Sequence, residues 1–245
     1  MSNPESDWRI ADIVEAGVIR LGLFLPQYVK AADGFVTPLG AGVVGHGLIG
    51  TLAERLGIEG RIIEQPSPAA AIKTLNDGGC DLLILGVEDS RKKLVDFSPP
   101  VIQFDFAYLV PADSPLKETA EVDHPGCRIS VPSGHASWMA LKRSIEHAEI
   151  VGTDIPDDAF AMVREGEVDV FALPREQLID YAEMLPGSRI LKEGFGYNIG
   201  SFAIAKGRDS LLDYIGAFVE EAKESGLVKD ILDEADLTSR GFDVA

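Results

Sequence analysis

Apolar residues recur along the chain with two different spacings. VIRLGLF (18–24) and RIIEQ (61–65) are short, branched runs that read as strands, whereas GLIGTLAERLG (47–57) is apolar at Leu48, Leu52 and Leu56 and stops at Gly57, as a helix does. Ser67 and Pro68 supply an N-cap and a first-turn proline for a helix running through Leu75, which Gly78 and Gly79 close. DLLILG (81–86) follows as a buried strand. The order β-α-β-α-β predicts a mainly parallel sheet covered by helices on both faces.

The same pattern returns later. AIKTLNDGGCDLLIL (71–85) is echoed without a gap by AFAMVREGEVDVFAL (159–173), pairing Gly78 with Gly166 and Asp81 with Asp169. Any helix-to-strand connection shares part of this grammar, but the surroundings echo too: RLGLFLPQ (20–27) and RISVPSGH (128–135) are both strands running into proline-containing loops. Two similar α/β lobes are therefore expected, the second over 107–198. GSFAIAKG (200–207) reads as another strand, and DSLLDYIGAFVEEAKESG (209–226) as an amphipathic helix with Leu212, Ile215 and Val219 on one face and Gly226 as its stop. The first stretch supplies too little helix to cover its own sheet, so the tail is expected to return to it. Lobe one is then 1–106 with 199–245, and two crossings near 104–110 and 195–201 form a hinge.

Composition narrows the function. The 245 residues are 46% hydrophobic and 25% charged, an ordinary folded chain, and 22 Lys plus Arg stand against 40 Asp plus Glu for a net charge of -18. That balance argues against a nucleic-acid partner or an anionic membrane surface, both of which rely on clustered positive charge. Cys80 and Cys127 lack metal-ligand spacing, and each heads an apolar run. They read as small buried side chains, and neither a metal nor a cofactor is expected. MSNPESDWRIADIVEAG has no basic region followed by an apolar one, and no stretch reaches the roughly 18 apolar residues of a membrane span. The expectation is a cytoplasmic protein if this is the full chain, a periplasmic one if a leader has been removed, and no membrane insertion in either case.

Against the acidic background, SRKKLVDFSPP (90–100) places an arginine and two lysines together. Ligands of open α/β sheets bind beyond the carboxyl ends of strands, which here means 23–28, 86–91, 132–137 and 173–175. Arg91 lies in that set. A guanidinium meets a carboxylate through two parallel hydrogen bonds and keeps its proton at any working pH, although a solvated loop charge is the alternative reading. In VPSGHASWMALKRS (131–144), Ser133 is expected to cap a helix whose first N–H groups, from Gly134, His135 and Ala136, form an anion site.

RKKLVDFSPP resembles the extracellular solute-binding proteins of ABC transporters, in the polar amino acid branch called family 3, which carries an arginine at this distance before the phenylalanine of a V-D-F-S-x-P segment. Arg91 and Phe97 keep that spacing, and the resemblance runs from ADIVEAGVIRLGLF to ILDEADL. It implies the type II periplasmic binding protein fold: α/β, with two Rossmann-like lobes joined by a two-stranded hinge and closing on a ligand. It also implies that Arg91 holds a ligand carboxylate, with Phe24, Tyr28, Gly86 and Glu88 around it on lobe one and Ser133, Gly134, His135, Ser137 and Pro174 on lobe two. Lys92 and Lys93 are left to solvent, and Phe24, Tyr28 and Phe104 are candidates for an apolar wall, although each taken singly reads as core.

The departures from the family carry as much information. Its amino acid binders hold the ligand ammonium with a carboxylate after the first strand and another after the lobe-two strand, where this chain has Phe24 and Pro174. The Gly86–Arg91 loop is also shorter and lacks the usual Thr or Ser, leaving Glu88 and Asp89 as its acidic groups. The implied function is capture of a small carboxylate ligand for uptake or sensing, by a monomer that works with an ABC permease. Two alternatives stay open: a cyclohexadienyl-dehydratase-like enzyme with Glu88, His135 or Glu176 as its acid, and a cytoplasmic small-molecule sensor.

Overall fold

In the computed structural model, which describes residues 7–245, the β-α-β-α-β grammar forms twice. The first run is α1 (Ala11–Ala16), β1 (Val18–Phe24), a hairpin of β2 (Tyr28–Lys30) and β3 (Val36–Pro38), α2 (Ala41–Leu56), β4 (Glu59–Gln65), α3 (Pro68–Asn76) and β5 (Leu82–Gly86). After α4 (Asp89–Lys92), β6 (Val95–Phe97) and β7 (Ile102–Val110), the second run is β8 (Arg128–Pro132), α5 (Ala136–Ser144), β9 (Glu149–Thr153), α6 (Pro156–Arg164) and β10 (Val170–Pro174). There follow α7 (Arg175–Glu183), β11 (Arg189–Ile190), β12 (Gly196–Ala205), α8 (Asp209–Glu224), α9 (Leu227–Glu234) and β13 (Phe242–Val244). β1 lies between β4 and β5 and parallel to both, with β12 antiparallel on β5. In the same way β8 lies between β9 and β10 and parallel to both, with β7 antiparallel on β10.

The sequence echo is a repeated lock between strands. Asp81 accepts from the Arg20 backbone N–H at 2.8 Å and donates its own N–H to the Arg20 carbonyl at 2.9 Å, while the Arg20 guanidinium reaches the Gly78 carbonyl at 2.9 Å. Asp169 accepts from the Arg128 N–H at 2.8 Å and donates back at 3.0 Å, and the Arg128 guanidinium reaches the Glu167 carbonyl. Gly78 and Gly166, at φ 76 and 73, take the left-handed turn that ends α3 and α6 and brings each aspartate to its strand.

Several boundaries differ from expectation. The helix expected over 47–57 begins at Ala41, because Gly42 and Gly45 are packing positions: a Cβ at Gly45 would lie 2.9 Å from Ile84. The buried face of α8 is Leu211, Tyr214, Ile215, Phe218, Val219 and Ala222, with Leu212 at its margin. The chain divides into two compact units, one made of the chain up to Gln103 with Ile199–Leu237 and Asp243–Ala245, the other of Phe104–Asn198 with Thr238–Phe242. Phe104–Phe106 and Thr238–Phe242, both expected in lobe one, thus cluster with the second unit. The cause is local: Gly241 accepts from the Asp105 N–H at 3.1 Å, and Arg240 donates to the Glu176 carbonyl at 3.0 Å and to Asp180 at 2.8 Å.

Cys80 and Cys127 are free thiols, 2% and 1% exposed, and burial pushes each up to about 11. The thiolate is the reactive form, so neither is expected to react with iodoacetamide in the native protein near neutral pH, and both should react in urea. Mass spectrometry after a short pulse reads this directly, and modification of either cysteine at the rate of a free thiol would contradict the packing.

Candidate functional site

The strand ends of the first unit are tied together by a residue that the sequence did not single out. Gln27 donates its side-chain N–H to the Ile84 carbonyl at 2.8 Å, and its Oε1 accepts from the Phe24 N–H at 3.3 Å, so one amide holds the ends of β1 and β5. A Cβ at Gly42 would stand 2.3 Å from the Gln27 carbonyl oxygen, so only glycine lets α2 start this close to the loop. Nothing about a lone glutamine in a loop signals such a role; its partner is a carbonyl set by the fold.

Beyond β5 the chain makes the single turn of α4, with Glu88 at its N-cap and Arg91 inside it. Arg91, with its side chain 23% exposed, donates through Nη1 to the Gly86 carbonyl at 2.9 Å, and the same nitrogen lies 3.5 Å from Glu88 Oε1. Its Nε and Nη2 make no hydrogen bond among the described residues, which leaves one edge of the planar fork to receive two oxygens. Gly86, Glu88 and Arg91 therefore form one cluster. Lys92 pairs with Asp89 at 2.9 Å on the surface, and Lys93 is exposed.

Phe24 and Tyr28 lie deeper. Phe24 packs in a core cluster with Leu75, Leu85 and Val95, and the Tyr28 hydroxyl donates to the Gln65 carbonyl at 3.3 Å. Phe104 belongs to the other unit, where its ring lies 5.5 Å from that of Phe242.

In the second unit the segment after β8 departs from expectation in detail. Ser133 is not the cap of α5: Gly134, at φ 74, turns the chain so that His135 occupies the N-cap. The Ser133 oxygen instead packs on β9, where a Cβ at Gly152 would come within 2.3 Å of it. The His135 N–H closes the turn onto the Pro132 carbonyl at 3.3 Å, so the N–H groups that a helix start leaves without intrahelical partners are those from Ala136 onward. Ser137 is buried in that first turn, with its hydroxyl 3.4 Å from His135 Nδ1.

Pro174 ends β10 buried and offers neither a donor nor a charge. Arg175 is a brace: its Nε donates to Asp105 at 2.7 Å, and its other nitrogens donate to the Leu191 and Lys192 carbonyls at 3.1 and 2.9 Å. Glu176, in the first turn of α7, has its carboxyl raised above the usual range, by burial first, with Arg240 opposing and Asp180 adding to the shift. Among the described residues, no group of three or more His, Cys, Asp or Glu is placed to hold a metal, and no helix is long and apolar enough to cross a membrane.

Comparison with known proteins fits this arrangement. An ancestral cationic amino acid solute-binding protein is similar with a TM-score of 0.70 at 24% identity, over 92% of this chain and 98% of that one. The solute receptor for L-cysteine of Neisseria gonorrhoeae gives 0.66 at 20% identity, over 92% of each chain. An ancestral amino acid-binding protein described as a precursor of cyclohexadienyl dehydratase gives 0.66 at 24%, over 92% of this chain and 98% of that one. At these identities the likeness is one of fold, and the fold is the α/β type II periplasmic binding protein fold that the sequence led us to expect. The model of the bacterial extracellular solute-binding proteins, family 3, matches residues 39–235, and the chain belongs to that family.

Proposed function

We propose that this protein captures a small carboxylate-bearing ligand outside the cytoplasm and delivers it to an ABC permease. The observation that carries the reading is Arg91: one guanidinium nitrogen is anchored to the Gly86 carbonyl at 2.9 Å and the opposite edge of the fork is open. In the second unit the first turn of α5, with buried Ser137, is also suited to an anion, since helix N-termini favour negative charge.

The ligand class follows from what surrounds the arginine. Neither Phe24, packed in the core, nor Pro174 can accept a hydrogen bond from an ammonium through its side chain, and Glu88 already lies beside Arg91. Carboxylates without an α-ammonium are therefore expected to bind more tightly than the standard amino acids. All three of the similar structures described above are named for amino acids, which makes those the necessary competitors. In a thermal-shift screen, a ligand present at about 100 times its Kd adds roughly 2.7 kcal/mol to stability. Calorimetry showing tight binding of a common amino acid, and none across a panel of aliphatic and aromatic carboxylates, would overturn the assignment.

A second reading rests on Glu176. Expulsion of a hydroxyl, as in a dehydratase, needs a general acid, and the Glu176 carboxyl, in the first turn of the helix that follows β10, is raised above its usual range by burial. Turnover of prephenate by the purified protein would favour that reading over capture.

A further inference from the structure

We propose that the second unit carries a further binding pocket, separate from the candidate ligand site, that takes a short aliphatic diamine. A cavity of about 290 Å³ lies at the amino ends of β8 and β10, between the loop that follows β7 and the turns that lead into those two strands. All of its lining residues belong to that unit. The first turn of α5 and Pro174 stand at the carboxyl ends of the same strands, about 16 Å away along a strand of this length.

The lining sets two carboxylates and an imidazole among apolar side chains. Asp113 comes from the loop after β7, Asp169 from the turn before β10 and His124 from the segment before β8, while Pro115, Leu116 and Val168 supply apolar surface. Asp113 makes no side-chain hydrogen bond or ion pair among the described residues. Asp169 engages Oδ2 with the Arg128 N–H at 2.8 Å, and its Oδ1 has no partner among the described residues. The tautomer of His124 follows from its neighbour. Nδ1 lies 2.8 Å from the Glu121 carbonyl, which can only accept, so Nδ1 carries the proton and the neutral ring offers Nε2 as an acceptor.

The charge balance selects a cation, because no lysine or arginine is among the lining residues. Arg189 braces the loop, but through backbone: it donates to the Ala112, Ser114 and Leu116 carbonyls at 3.1, 3.0 and 3.0 Å, which leaves Asp113 without a counter-charge. The Arg128 guanidinium is likewise turned to the Glu167 carbonyl and lies 3.6 Å from Glu149. Free acceptors beside apolar surface suit ammonium groups carried on a methylene chain. One carboxylate on each wall calls for an ammonium at each end, and a cavity near the small limit of ligand pockets keeps the chain short.

The test is independent of the carboxylate site. Titration calorimetry of the full chain with 1,4-diaminobutane at low salt is expected to show one saturable site, with n-butylamine bound roughly fivefold more weakly. Asp113→Asn should remove that advantage, so that the two amines bind alike. A chain of net charge -18 attracts any cation, so Asp158→Asn, an equal loss of charge at an exposed position of α6, is the control and should bind both amines as the parent does. Arg91→Ala should also bind the diamine unchanged, whatever its effect on carboxylates. Absence of saturable binding would overturn the proposal. So would equal weakening by Asp113→Asn and Asp158→Asn, which would mean diffuse attraction to an acidic surface, or loss of diamine binding in Arg91→Ala, which would put the site in the first unit.

Discussion

Alanine at position 91 is expected to weaken binding of the best carboxylate ligand by a factor of roughly 30 or more, equivalent to about 2 to 5 kcal/mol. The change removes a charge-assisted pair of hydrogen bonds and leaves the ligand anion without its counter-charge. Lysine at 91 is expected to recover little. A single ammonium can meet the Gly86 carbonyl or a ligand oxygen, but it does not supply the Nε–Nη2 edge that remains once Nη1 is engaged. Folding should change little, by about 1 kcal/mol at most, since the Glu88 contact is 3.5 Å and partly exposed. Lys92→Ala and Lys93→Ala are the controls and should bind as the parent does. Titration calorimetry at fixed salt is the measurement, and equal affinities for the Arg91→Ala and Lys93→Ala proteins would reduce Arg91 to one more surface charge.

Asp81→Ala should cost on the order of 3 kcal/mol of stability, and the matching Asp169→Ala about 1. The two aspartates occupy equivalent places, but Asp81 is 4% exposed and Asp169 is exposed. Asp81 serves the Arg20 backbone N–H, Nε at 3.0 Å and Nη2 at 2.8 Å, with Arg208 at 3.5 Å, whereas Asp169 serves the Arg128 N–H alone among the side-chain locks. Loss of Asp81 would leave the partly buried Arg20 guanidinium with the Gly78 carbonyl alone and Arg208 with Asp12; loss of Asp169 admits water. Hydrogen exchange of β1 and β8 amides in mild urea would resolve the two units separately. Equal losses at the two positions would mean that the locks act through backbone geometry and not through buried charge.

These locks mark what the sequence makes visible. Gly78 with Asp81, and Gly166 with Asp169, are local signals: a left-handed helix stop and a short acceptor at the foot of a strand, each set by its near neighbours. The strand-helix alternation is legible for the same reason. The start of α2 is not, because its early contact positions are Gly42 and Gly45, which carry no apolar signal although they pack most closely. At the start of α5, Ser133 and His135 compete for one N-cap, and the left-handed backbone of Gly134 decides between them. Gln27 and the tail were hidden more deeply, since the partners of the first are the Ile84 carbonyl and the Phe24 N–H on two strands, and those of the second are Asp105, Glu176 and Asp180, distant in sequence.

The position of β12 has a consequence for the order in which the molecule can be completed. β12 is a central strand of the first unit, pairing with β5 on one side and β6 on the other, and the Phe202 N–H donates to Ser98 Oγ across 104 residues of sequence. During synthesis, β8, β9, β10 and the helices between them have all been made before β12 exists. The second unit can assemble its parallel strands from nearby chain, while the older first unit waits with β5 an open edge, bearing unpaired backbone groups and the apolar face of Leu83 and Leu85. Closing that long loop carries an entropy cost that only the finished sheet offsets, so the amino-terminal half is first to be made and last to be sealed.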